Sequence, residues 1–146
     1  MIEIISETIE TSKVLDSVMA SHCGANVLFV GTTRDVTGER ITTRLAYDCY
    51  ETMATKEMQR LRDEAIEKFE IGEVSIVHRI GEVGVGEASI AVAVSAPHRK
   101  NAFAAAEWLM DTLKKQVPIW KQEHWADGTT EWVHPGEPPT SESQAI

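Results

Sequence analysis

Five of the chain's 14 basic residues fall between positions 96 and 122, against two of its 23 acidic ones, and their placement suggests where chemistry could occur. Pro97-His98-Arg99-Lys100 opens the clearest helical pattern in the sequence. A helix N-terminus already carries unpaired N–H groups and a partial positive charge, so three potential cations there oppose the macrodipole. A bound phosphate or carboxylate would compensate them; the alternative is that all three point into water and are screened. Lys114 and Lys121 lie seven residues apart across Val117-Pro118. Lys114 falls at a helix C-terminus, where a cation is favoured without any further role. Lys121 sits in a stretch of strand character between Ile119-Trp120 and Gln122-Glu123. Burial there would lower its pKa and suit it to work as a base or nucleophile. Arg34 ends an apolar strand and begins a polar loop, a common position for binding residues.

These side chains depend on the elements that carry them. Ile2 to Glu7 reads as a first strand of mixed polarity, followed by a short helix through Val14, Leu15, Val18 and Met19 to about His22, with Gly24 placed to close it. Ala25 to Thr33 is a strand whose nearly continuous apolar centre predicts cover on both faces. Arg34 to Arg40 reads as a mobile loop, and Thr42 to Tyr50 as a strand with Leu45, Tyr47 and Cys49 on one face. A helix over Thr52–Phe69 buries Met58, Leu61, Ala65 and Phe69 and ends at Gly72. Two further strands, Glu73–Ile80 and Ala88–Ser95, flank a glycine-punctuated connection, Gly81 to Gly86. The helix from Pro97 to about Gln116 has Phe103, Ala106, Met110, Leu113 and Val117 on one apolar face, Pro97 in its first turn and Pro118 as its stop. Ile119–Trp125 and Thr130–Val133 flank Asp127-Gly128, a hairpin signal. Strands and helices mix without regular alternation, so the fold class is α+β. One domain over 1–134 is expected, followed by a flexible acidic, proline-rich tail over 135–146.

Composition narrows the function classes. The chain has 146 residues and a net charge of −9, yet residues 96–122 carry +3 and the remainder −12. An acidic chain with one basic segment suits a small anionic ligand and not nucleic acid. No apolar run approaches the roughly 20 residues of a membrane-spanning helix. The N-terminus lacks the basic flank and apolar stretch of a signal peptide, which predicts a cytoplasmic protein. Cys23 and Cys49 form neither a disulfide framework nor a thiolate metal site, and His22, His78, His124 and His134 lack metal-ligand spacing. The Gly81–Gly86 run precedes a strand and not a helix, so it is neither a dinucleotide fingerprint nor a P-loop. No metal and no cofactor is expected.

Six segments occur in order: Phe29-Val30-Gly31-Thr32-Thr33-Arg34-Asp35, Tyr47-Asp48-Cys49-Tyr50-Glu51-Thr52-Met53-Ala54, His78-Arg79-Ile80-Gly81, Val85-Gly86-Glu87-Ala88-Ser89, Pro97-His98-Arg99, and Leu113-Lys114-Lys115-Gln116-Val117-Pro118-Ile119-Trp120-Lys121-Gln122-Glu123. Together, over about residues 1–134, they resemble the large, catalytic subunit of molybdopterin synthase. The resemblance implies an α/β hammerhead-like fold with additional antiparallel strands. It implies a sulfurtransferase that converts cyclic pyranopterin monophosphate into the dithiolene of molybdopterin. Sulfur would come from the C-terminal Gly-Gly thiocarboxylate of a small ubiquitin-like subunit, within a heterotetramer built on a large-subunit homodimer. Carried over by motif, Thr32, Thr33, Arg34, His98 and Arg99 would bind substrate. Lys114 and Lys121 would be catalytic as well as substrate-binding, with Gln122 and Glu123 lining the same site.

Those roles suit the residue types. Arginines present planar donors to phosphate, and an ammonium can stabilise a thiocarboxylate or the oxyanion formed when its acyl group is attacked. A basic residue near the C-terminus, reaching across the dimer, is also expected of the family. Here no Lys or Arg follows Lys121: either another residue replaces that contact, with His134 the nearby candidate, or the other substrate-binding groups hold the phosphate alone. The competing reading is a non-catalytic module that binds the C-terminal tail of a ubiquitin-like protein.

Overall fold

The buried strands of the chain must pair, because their backbone groups can find partners only in a sheet. In the structure, a computed structural model that describes residues 1–133, β1 (Ile2–Ile5), β5 (Glu73–Arg79), β7 (Ala88–Ala96) and β2 (Ala25–Thr32) form one sheet in the order β1-β5-β7-β2. β1 runs parallel to β5, and the other pairs are antiparallel. Alternation along β7 explains its unbroken apolar run. Ile90, Val92 and Val94 face the main core, while Ala91 and Ala93 face a second, smaller cluster with Val14 and Val18. The main core lies under α2 (Glu51–Phe69) and α3 (Arg99–Gln116); the smaller one lies under α1 (Thr11–Asp16).

The second sheet holds β3 (Val36–Thr37), β4 (Arg40–Cys49), β8 (Ile119–Trp125) and β9 (Thr130–Val133), with β6 (Gly81–Gly84) paired to β4. The expected hairpin is present, turning at Gly128 with φ +87°. The α+β class stands, and no described helix is long and apolar enough to cross a membrane. His134 and the segment 135–146 lie outside the described residues.

Several elements differ from their sequence pattern. α1 stops at Asp16 and not near His22: the Ser17 hydroxyl turns back to the Val14 carbonyl (2.6 Å) and meets the Ser75 hydroxyl (2.6 Å), competing with the helix ladder. Residues 34–40 form a short hairpin, not a loop, with Gly38 at φ +62°. Gly81–Gly84 is strand β6, held by pairing to Arg44–Tyr47 despite poor intrinsic preference. β2 lies at a sheet edge, so its apolar centre is half-buried and not covered on both faces. α2 ends where Glu70 takes a left-handed conformation (φ +53°), two residues before Gly72. Gly72 serves close packing instead, since a Cβ there would sit 2.5 Å from Cys23 Sγ. Pro97 precedes the cap of α3, and Phe103 is 62% exposed, because Ala102, Ala105, Ala106 and Leu109 form the buried stripe.

Candidate active site

Two junctions in the fold bring the cationic residues together. Proline at 118 constrains Val117 to an extended backbone (φ −88°, ψ 128°), so α3 ends and the chain turns directly into β8. Lys114 on the last turn of α3 and Lys121 early in β8 thereby face one cavity of about 390 Å³. A register shift between Gly31 and Thr32, just before the β2–β7 pairing ends at Thr32 and Ala88, delivers Thr33 and Arg34 to the same cavity. Thr32 lines it as well.

The period of two along β8 sorts its residues. Ile119, Lys121, Glu123 and Trp125 are buried, and Trp120, Gln122 and His124 point to the other, half-exposed side. Lys121 and Glu123 are each only 2% exposed, and Lys121 Nζ lies 3.2 Å from Glu123 Oε1. The Thr42 hydroxyl donates to Glu123 Oε2 at 3.3 Å. Burial pulls the Lys121 ammonium below the usual lysine range, and the Arg34 and Lys114 charges add to that, against the opposing pull of Glu123. The arrangement is a desolvated lysine whose proton is weakly held, beside two further cations and a carboxylate. It can bind an anion, stabilise developing negative charge and exchange a proton with it. Among the described residues, no group of three or more His, Cys, Asp or Glu side chains could hold a metal ion.

The structure thus brings Thr32, Thr33, Arg34, Lys114, Lys121 and Glu123 to one cavity within one chain. Gln122 is not among its walls: its side-chain oxygen hydrogen-bonds His124 Nε2 at 3.0 Å on the opposite face of β8. His98 and Arg99 stand at the other end of α3, about 22 Å from Lys114 at 1.5 Å per helical residue. Both are exposed and line a separate open hollow with Gly24–Val27, Lys100 and Phe103. Thr37, Thr42 and Tyr47 are cavity residues that the sequence reading did not place at a site. Nothing local marked them: Tyr47 alternates with Leu45 and Cys49 on one face of a strand, where phenylalanine would bury as well.

Comparison with known proteins places the chain in a family. The molybdopterin synthase catalytic subunit of Emericella nidulans is 44% identical over 131 residues, covering 90% of this chain and 67% of that protein. Its counterpart in Staphylococcus carnosus is 43% identical over 131 residues, covering 90% and 87%. The X-ray structure of molybdopterin synthase from Staphylococcus aureus superposes with a TM-score of 0.87 at 38% identity, covering 90% of this chain and 96% of that one. The sequence model of the MoaE protein family matches residues 4–116. By that match, over most of its length, the chain belongs to the MoaE protein family.

Proposed function

We propose that this chain is the catalytic subunit of a molybdopterin synthase. It moves sulfur from the C-terminal thiocarboxylate of a small ubiquitin-like subunit to cyclic pyranopterin monophosphate. The observation that carries the reading is the buried Lys121–Glu123 pair in a cavity shared with Lys114 and Arg34. A module that only captured a peptide tail would have no use for a lysine with a lowered pKa.

In this reading Arg34 and the Thr32-Thr33 segment hold the anionic substrate. Lys114, at the cavity wall, neutralises the thiocarboxylate and the tetrahedral species formed at its acyl carbon. Lys121 exchanges protons with the reacting atoms, and Glu123 holds its ammonium in place. His98 and Arg99 join the site from a second copy of the chain, since α3 keeps them about 22 Å from Lys114 in their own. That agrees with the homodimer the resemblance implies, whose two-fold symmetry would complete two equal sites. Residues 1–134 act as one domain in this scheme.

One experiment tests both parts. Lys114→Ala chains and Arg99→Ala chains, each assembled with thiocarboxylated carrier, are expected to make little dithiolene product. After subunit exchange the mixture recovers about a quarter of wild-type activity, because half the dimers are mixed and each rebuilds one intact site. Wild-type turnover by Lys114→Ala would remove Lys114 from the reacting groups, and absence of product from the wild-type assembly would reduce the chain to a tail-binding module. Absence of recovery on mixing would refute the cross-chain placement of Arg99.

A further inference from the structure

Two buried side-chain hydroxyls have no hydrogen-bond partner among the described residues, those of Thr33 and Tyr47, and both line the cavity of Lys114 and Lys121. Thr33 already belongs to the substrate-binding segment. Tyr47 does not, and its position is specific. It stands directly opposite Lys121 in the antiparallel register of β4 and β8, so the two side chains leave the sheet on the same face. Only 4% exposed, its ring packs edge-on against His78, with centroids 5.0 Å apart, which fixes the direction of the phenol. Behind it a small recess, lined mostly by apolar side chains, also touches Lys114 and Lys121, so Tyr47 marks the boundary between recess and cavity. The Ser89 hydroxyl is near enough to act on the phenol, but it donates to the Gly31 carbonyl at 3.4 Å and no hydrogen bond of full geometry joins it to Tyr47. A buried hydroxyl without a partner destabilises a fold, and phenylalanine would fill the same space without that penalty. Burial pushes the phenol up to about 12, so at neutral pH it is a donor that keeps its proton.

We propose that Tyr47 is a further catalytic residue, whose hydroxyl donates a hydrogen bond to the acyl oxygen of the thiocarboxylate held between Lys114 and Lys121. This rests on the sulfur-transfer reading above. Once the sulfur has bonded to the pterin precursor, the carrier is joined to it as a thioester, which water must cleave. The water oxygen forms a bond to the acyl carbon, and the carbonyl π pair moves onto oxygen beside the Tyr47 O–H. When that pair returns, the C–S bond breaks and one proton of the water passes to the sulfur. The products are a carrier carboxyl group and a thiol on the precursor. Tyr47 supplies a neutral, directional donor at the oxyanion and is itself unchanged.

The test is Tyr47→Phe in the assembled two-subunit enzyme, with thiocarboxylated carrier and cyclic pyranopterin monophosphate. The expected result is a melting temperature equal to or above wild type, a KM within about twofold, and a kcat about 10- to 100-fold lower. Mass spectrometry of a single turnover should show the carrier–precursor thioester accumulating. A kcat equal to wild type overturns the role of Tyr47 alone. A fall in kcat that accompanies a fall in melting temperature, with no thioester, makes it a packing residue and overturns the proposal too. Failure of the wild-type enzyme to form product overturns the sulfur-transfer reading, and this inference with it.

Discussion

The two ends of α3 carry charge of the same sign in opposite circumstances. At its N-terminus His98, Arg99 and Lys100 are exposed, stand against the helix dipole and have no acidic residue in the first turn. Beyond its C-terminus Lys121 is buried, held by Glu123 at 3.2 Å and surrounded by cavity walls. The first end keeps its cations in water, ready for a ligand or surface that arrives from outside. The second has removed water from its lysine, which weakens the hold on the proton and strengthens every nearby charge interaction. Basic residues on one helix and the strand after it therefore divide into a hydrated group and a desolvated group, and burial makes the division.

The largest expected effect lies at the buried end. Lys121→Met should leave the Glu123 carboxylate without its partner and cost about 3–5 kcal/mol in urea denaturation. Adding Glu123→Gln should recover most of that loss; a single-variant cost below about 1 kcal/mol would mean the pair does not hold this end together. Next comes His78, behind the lysines and 3% exposed, whose pKa burial lowers from 6.5 to about 4. The unfolded chain takes up this proton first, so stability is full above about pH 6.5 and declines as pH falls toward 4. The difference is about 3 kcal/mol. His78→Asn should lack that increment when unfolding free energies at pH 7 and pH 4 are compared. The smallest effect belongs to the exposed end. Lys100→Glu should raise stability by about 0.3–1 kcal/mol through the helix dipole, seen as a higher melting temperature. A loss there would show that Lys100 is already neutralised.

Much of this contrast was legible before any coordinates. Period two on residues 119–125 puts Lys121 and Glu123 on one face, and Asp127-Gly128 marks the turn that returns β9. The length of α3 was legible too, and 15 residues of helix already separate Arg99 from Lys114. Lys114 and Lys121 stand seven residues apart across Val117-Pro118, and the resemblance, not the spacing, joined them to His98 and Arg99, which cannot share their cavity within one chain. Phe103 fitted the apolar spacing of α3, but that spacing is shared by a neighbouring stripe of small residues. Ala102, Ala105 and Ala106 allow close approach of α3 to the sheet, and they took the buried side. Tyr47 and β6 were illegible for another reason. What defines each is a strand partner distant in sequence, Lys121 for one and Arg44–Tyr47 for the other, and no local pattern encodes a register.

The alternation of β8 makes this strand a reading frame as well as a scaffold. One residue inserted between Pro118 and Trp120 would carry Lys121 and Glu123 to the half-exposed side and put Trp120 and Gln122 toward the cavity. Composition, charge and strand length would barely change, yet the chemistry would be gone. A residue added at the Asp127-Gly128 turn, by contrast, leaves the frame of β8 intact. Along β8 the parity of an insertion, more than the burial of its site, decides which side chains reach the cavity.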